Sequence, residues 1–141
     1  IDILIDDGGH TMDQQINPFE GLFNHISENG IYLYEDLHTS YFTNYGGGYK
    51  RRGTFIQYSK QFIDYINAWH SRTPKLEINT FTKSVHSLTY YDSILVIEKR
   101  LTEKSTAVET GRRIEQPPLK VSHPPLKLLK GKIKRILTRI F

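Results

Sequence analysis

Ile1-Asp2-Ile3-Leu4-Ile5-Asp6-Asp7-Gly8-Gly9-His10 opens the chain, and Gly30-Ile31-Tyr32-Leu33-Tyr34-Glu35-Asp36 follows after residues 11–29. Each stretch is a short apolar run that ends in acids. An apolar run of this length bounded by turn residues reads as a β-strand. The run Ile1, Ile3, Leu4, Ile5 fits a strand buried on both faces, as in a parallel sheet. Ligand chemistry in open α/β sheets gathers at the carboxyl ends of the strands. If the two strands are parallel neighbours, Asp7, Glu35, Asp36 and His10 converge at one sheet edge. Carboxylates suit a hard cation, and an imidazole beside it suits a base.

The segment between the two runs reads as helical. Met12, Ile16, Phe19, Leu22, Phe23 and Ile26 recur near the helical period. Pro18 interrupts it, and Asn17-Pro18-Phe19-Glu20 has the form of a fresh helix start. The expectation is a short turn of helix, a restart at Asn17, and an end at Asn29-Gly30. Strand, helix and strand then form a βαβ unit.

His38 to Gly53 reads as a long loop, and Gly46-Gly47-Gly48 within it as a hinge for a substrate lid. The Lys50-Arg51-Arg52 run is a solvated charge cluster. A second helix is expected from Thr54 to Trp69, with Phe55, Phe62, Ile63, Ile66 and Trp69 as its apolar stripe. Val85 to Tyr90 and Ile94 to Ile97, separated by three residues, form an antiparallel hairpin. The fold class is therefore α/β, in the order β-α-β-loop-α-β-β.

Charge divides the chain. Residues 1–100 hold 9 Lys/Arg against 12 Asp/Glu, while residues 101–141 hold 10 against 3. The basicity belongs to the tail, so it does not imply nucleic acid, and no zinc-finger or RNA-binding signature accompanies it. Without cysteine, disulfides and thiolate metal sites are excluded. Three regions follow: 1–100 as the α/β domain, 101–124 as a Pro-containing linker, and 125–141 as a basic amphipathic helix. The helix has two open readings, an anionic membrane surface or a partner subunit, the latter including a homo-oligomer. The chain starts inside a strand, and the expectation is that it is the C-terminal part of something longer.

The two acidic motifs, Asp6-Asp7-Gly8-Gly9-His10 and Glu35-Asp36-Leu37-His38-Thr39-Ser40-Tyr41, resemble those of the metal-dependent sugar O-methyltransferases of macrolide biosynthesis. The resemblance covers residues 1–100. It implies a partial Rossmann-like class I methyltransferase sheet ending in the antiparallel hairpin, and S-adenosylmethionine and Mg²⁺ as cofactors. A cytoplasmic location is the expectation compatible with the absence of cysteine. By the same resemblance Asp7, Glu35 and Asp36 hold the metal, and His10 is the general base. Asp6 serves the loop or the cofactor, and His38, Tyr41 and Tyr45 line the substrate pocket. The acceptor is a hydroxyl of a small molecule or glycan. Catechol O-methyltransferases place acids similarly, which keeps catechols open as acceptors. The glycine-rich cofactor loop and the ribose-binding acid of the family are not found in this sequence, so this segment alone is expected to be inactive. The rival reading is a non-catalytic scaffold whose basic tail does the binding.

Overall fold

The computed structural model describes residues 1–111. Residues 1–107 form one unit and a second begins at Val108. The expected helix over 125–141 and most of the expected linker lie outside the described residues. Residues 101–110 have neither helix nor strand.

Four strands make one sheet: β1 (Ile3–Asp6), β2 (Ile31–Tyr34), β3 (Val85–Tyr91) and β4 (Ile94–Lys99). Their spatial order is β1-β2-β4-β3. β1 and β2 are parallel, with Ile3 opposite Ile31 and Asp6 opposite Tyr34. β4 runs antiparallel to both β2 and β3. The hairpin turn is tighter than its sequence suggests. Only Asp92 and Ser93 separate the strands, and Ser93, the second of the two, is left-handed at φ 62°.

The helices are α1 (Met12–Leu22), α2 (Phe55–Ser59), α3 (Gln61–Ile66) and α4 (Thr80–Ser84). The restart expected at Asn17 does not occur. α1 starts after Thr11, whose backbone N–H donates to Gln14 Oε1 at 3.2 Å, and runs through Pro18 to a 3-10 turn at Phe23–His25. Proline costs α1 one hydrogen bond. Phe19 and Phe23, 5% and 6% exposed, anchor the helix in the core on the far side of the break. The helix expected over 54–69 is present but divided into α2, α3 and a 3-10 turn at Ala68–His70. Sequence reasoning passed over α4. Its signal was Asn79, whose Oδ1 accepts from Thr82 N–H at 2.9 Å while Thr82 Oγ1 accepts from Asn79 N–H at 3.3 Å.

The core lies on one face of the sheet. Tyr32, Tyr34, Leu95 and Ile97 point into it and meet Phe19, Phe55, Phe62 and Phe81. Phe19 sits among the rings, 4.9 Å from Phe62 and 5.0 Å from Phe23. Lys99 also enters this side, where its Nζ donates to the carbonyls of Ile26 (2.7 Å) and Phe23 (3.3 Å) at the end of the 3-10 turn that follows α1. The opposite face corrects the expectation for β1. Ile3 and Ile5 are 65% and 61% exposed, because strand alternation turns them away from α1 and no described residue covers them. β1 is also a sheet edge among the described residues.

Candidate metal and base site

The parallel pairing of β1 and β2 brings their carboxyl ends side by side. Glu35 N–H donates to Asp6 O at 3.1 Å, extending the ladder one step past the strands. From there both chains turn away from the sheet. Gly8 and Gly9 lead the first into α1. Gly9 cannot carry a side chain, since a Cβ would stand 2.7 Å from Gln14 Cβ. The second chain turns at Asp36, which is left-handed at φ 55°, and enters a 3-10 segment, Leu37–Tyr41. Asp is among the few non-glycine residues that adopt this conformation readily.

These turns place ligand atoms of Asp7, His10 and Asp36 within 4.8 Å of one another. His10 Nδ1 lies 3.7 Å from Asp36 Oδ2, and the two side chains are 35% and 43% exposed. At 3.7 Å this is an electrostatic contact rather than a hydrogen bond. Glu35 is half-buried next to Asp36 and falls outside the three-residue group. Asp6 stands apart as well. Its Oδ2 accepts from the Tyr32 hydroxyl at 2.7 Å and its Oδ1 from Gly8 N–H at 3.4 Å. It also lines a separate cavity of about 430 Å³ beside Asp13 and Asn17.

The expected substrate residues are arranged around Asp36. His38 Nδ1 is 3.8 Å from Asp36 Oδ1, so the carboxylate is flanked by two imidazoles. Tyr45 meets His10 edge-on at 6.1 Å, and Tyr41 is half exposed. Within the glycine triplet, Gly47 N–H donates to Phe42 O and Gly48 N–H to Ser40 O, both at 2.8 Å. A Cβ on Gly47 would lie 2.5 Å from Thr39 O. Gly47 allows close packing of the loop on the 39–42 segment. The loop itself is built from two 3-10 turns, Leu37–Tyr41 and Thr43–Tyr45.

One site residue carried no readable signal. Gln15, 2% exposed on α1, donates through Nε2 to Asp36 O at 3.5 Å and to Thr39 Oγ1 at 3.4 Å. Thr39 Oγ1 in turn donates to Asp36 O at 2.8 Å. Two side chains therefore grip the Asp36 carbonyl and fix the strained turn that presents its carboxylate. A neutral amide at a core-facing helix position gives no hint of this in a single sequence.

The donor set suits a hard divalent ion. Two carboxylates supply oxygens, the ligands that Mg²⁺ prefers, and the imidazole nitrogen is a poorer ligand for it. His10 is thus better suited to hold a proton beside an ion than to coordinate it.

No family model matches the chain. Among curated relatives, the 8-demethyl-8-alpha-L-rhamnosyl tetracenomycin-C 2'-O-methyltransferase of Streptomyces olivaceus is 31% identical over 71% of this chain and 27% of its own length. The mycinamicin VI 2''-O-methyltransferase of Micromonospora griseorubida is 29% identical over 70% and 26%. The chain spans about a quarter of the length of these relatives. Among solved structures, the MycE methyltransferase from the mycinamycin biosynthetic pathway, in complex with Mg and SAH, superposes with a TM-score of 0.69 at 24% identity, covering 94% of this chain and 33% of the other. A second MycE complex, with Mg, SAH and mycinamycin VI, gives 0.68 at 23% identity. The chain is a partial class I methyltransferase-like α/β segment, similar in sequence and fold to the C-terminal part of the sugar O-methyltransferases of natural-product biosynthesis.

Proposed function

We propose that the protein is an S-adenosylmethionine-dependent O-methyltransferase that methylates a sugar hydroxyl of a natural product or glycan with the help of Mg²⁺. The observation that carries this reading is the convergence of Asp7, His10 and Asp36 at the ends of two adjacent parallel strands. The relatives support it, since their names assign them methyl transfer to the sugars of tetracenomycin and mycinamicin. The MycE complexes add Mg and SAH.

Asp7 and Asp36, with the adjacent Glu35, are the carboxylates that would hold the ion. When bound, Mg²⁺ stabilises negative charge on an alcohol oxygen, and S-adenosylmethionine supplies the methyl group. His10 accepts the hydroxyl proton through a ring nitrogen, the role a neutral imidazole beside the reacting oxygen can fill. Its Nδ1 stands 3.7 Å from the Asp36 carboxylate. Tyr45 packs edge-on against the His10 ring and limits its motion. Asp6 would meet the cofactor through the cavity that it lines with Asp13 and Asn17. His38, Tyr41 and Tyr45 border the space for the acceptor.

The test is methyl transfer by the full-length protein to a panel of deoxysugar glycosides. EDTA should abolish transfer and Mg²⁺ should restore it. His10→Ala should lower turnover by about 10²–10⁴-fold and leave cofactor affinity unchanged. Transfer that is indifferent to EDTA refutes the metal role.

A further inference from the structure

We infer that Tyr32 is a positioning residue for the acid cluster: its buried hydroxyl holds Asp6, and Asp6 holds the turn that presents Asp7 and His10. This rests on the function proposed above and adds to it a core residue that touches neither metal nor substrate.

Strand alternation places Asp6 on the same face of β1 as Leu4, the face turned toward the core. A half-buried carboxylate there is costly unless hydrogen bonds replace its water. Two do. The Tyr32 hydroxyl donates to Oδ2 at 2.7 Å and Gly8 N–H to Oδ1 at 3.4 Å. The first has the length of a charge-assisted bond, the stronger kind. The second is long and correspondingly weak. Tyr32 is not the residue directly across from Asp6. Tyr34 holds that place, and Tyr32 pairs with Leu4. Tyr32 therefore reaches Asp6 on the diagonal, a span that a long aromatic side chain can cover. Its ring is fully buried and stacks on Tyr34 at 4.6 Å, so the hydroxyl is delivered from a fixed platform. Tyr34 directs its own hydroxyl to Gln15 O at 3.4 Å. A phenylalanine would fill the core at position 32 as well; what the hydroxyl adds is the bond to Asp6.

The next four residues depend on Asp6. Among the described residues, the stretch from Asp7 to His10 makes one hydrogen bond, the one from Gly8 N–H to the Asp6 carboxylate. The Asp6 backbone is tied to the second strand through Glu35 N–H at 3.1 Å. The carboxylate is thus anchored on the core at one oxygen and steers the turn with the other. Without the Tyr32 bond the carboxylate is free to rotate, and the turn loses its one restraint. The arrangement mirrors that at Asp36, where Gln15 and Thr39 hold the backbone carbonyl of the residue that presents the acid.

Two measurements on the full-length protein test this: Mn²⁺ affinity by electron paramagnetic resonance, and amide hydrogen exchange across residues 6–10 without metal. Tyr32→Phe should weaken Mn²⁺ binding about tenfold and speed exchange in the turn. Asp6→Ala should do the same. The double variant should be no worse than either single one, since both act through one chain of contacts. Asp6→Asn keeps an oxygen for the Tyr32 hydroxyl and should stay close to wild type. Wild-type Mn²⁺ affinity or wild-type exchange in Tyr32→Phe overturns the proposal, because a merely structural tyrosine would move the denaturation midpoint alone. Additive losses in the double variant overturn it too. So does a loss in Asp6→Asn as large as in Asp6→Ala, since Asp6 would then act on the ion by its charge. The metal reading fails separately. If wild type binds no Mn²⁺ but exchange quickens in Tyr32→Phe, the clamp stands and the metal role falls. Mn²⁺ bound equally by wild type and Tyr32→Phe gives the reverse.

Discussion

The end of β2 and the turn just beyond it obey different rules. Tyr34, the last residue of β2, is fully buried, stacks at 4.6 Å on Tyr32 and packs at a tilt, 4.3 Å away, against Phe55. Asp36 is 43% exposed and makes no side-chain hydrogen bond shorter than its 3.7 and 3.8 Å contacts with two histidines. The aromatic region is satisfied internally and holds the fold. The acid region leaves its charges underused by the protein. The carboxylates of Asp7 and Asp36, within 4.8 Å of each other, gain nothing from the protein comparable to what the rings gain from their neighbours.

The contrast breaks most visibly in the core. Phe62→Ala removes a ring that is 1% exposed and packs 4.9 Å from Phe19 and 4.8 Å from Phe81. It should cost about 3–5 kcal/mol of unfolding free energy, read by denaturant titration. A loss near zero would mean that the rings are not the foundation of the fold.

Alkaline pH comes next. Burial pushes the Tyr32 and Tyr34 hydroxyls well above the usual 10.0, and the Asp6 carboxylate adds to the rise at both. A folded-state pKa above the unfolded one gives stability that is complete below about pH 10 and lost as the pH climbs above it. Lys99 has the opposite sign, because burial lowers its pKa from 10.5 and stability therefore rises with pH just below that value. The two tyrosines outweigh the one lysine, so the denaturation midpoint should fall above pH 10. The fall should be shallower in Tyr34→Phe. A midpoint flat across this range would contradict the burial of these rings.

The smallest effect on stability belongs to Gln15→Leu. It removes two long hydrogen bonds and also an Oε1 that has no partner. Stability should change by less than about 1 kcal/mol, while divalent-metal affinity should fall by about tenfold as Asp36 loses one of its restraints. Unchanged affinity would show that Thr39 alone holds the turn.

The parts of the molecule legible in its sequence are those set by local chemistry. The Asp-Gly and Glu-Asp strand ends, the alternation in β3 and the β-branched run in β4 each carry their own signal. What was misread depended on partners elsewhere in the chain. Pro18 reads as a break because local rules cannot see Phe19 and Phe23 holding the helix together across it. Ile3 and Ile5 read as buried because an apolar strand does not say what covers each face. Ile63 belongs to the apolar stripe of its helix, yet it stands half exposed. That Gly47 packs on Thr39 and Ser40 could not be read from a glycine triplet. At the site, Asp7, His10 and Asp36 were legible as a group because two motifs marked them. Gln15 was not, since it acts through the backbone carbonyl of Asp36.

The central claim is that Asp7 and Asp36 share one divalent ion with His10 beside it. Titration of the full-length protein with Mn²⁺, followed by electron paramagnetic resonance, tests it most directly. The expected result is one tightly bound Mn²⁺ per chain, displaced by Mg²⁺, with affinity reduced at least about tenfold in Asp7→Asn and Asp36→Asn and their thermal midpoints unchanged. Wild-type Mn²⁺ affinity in both variants would contradict it.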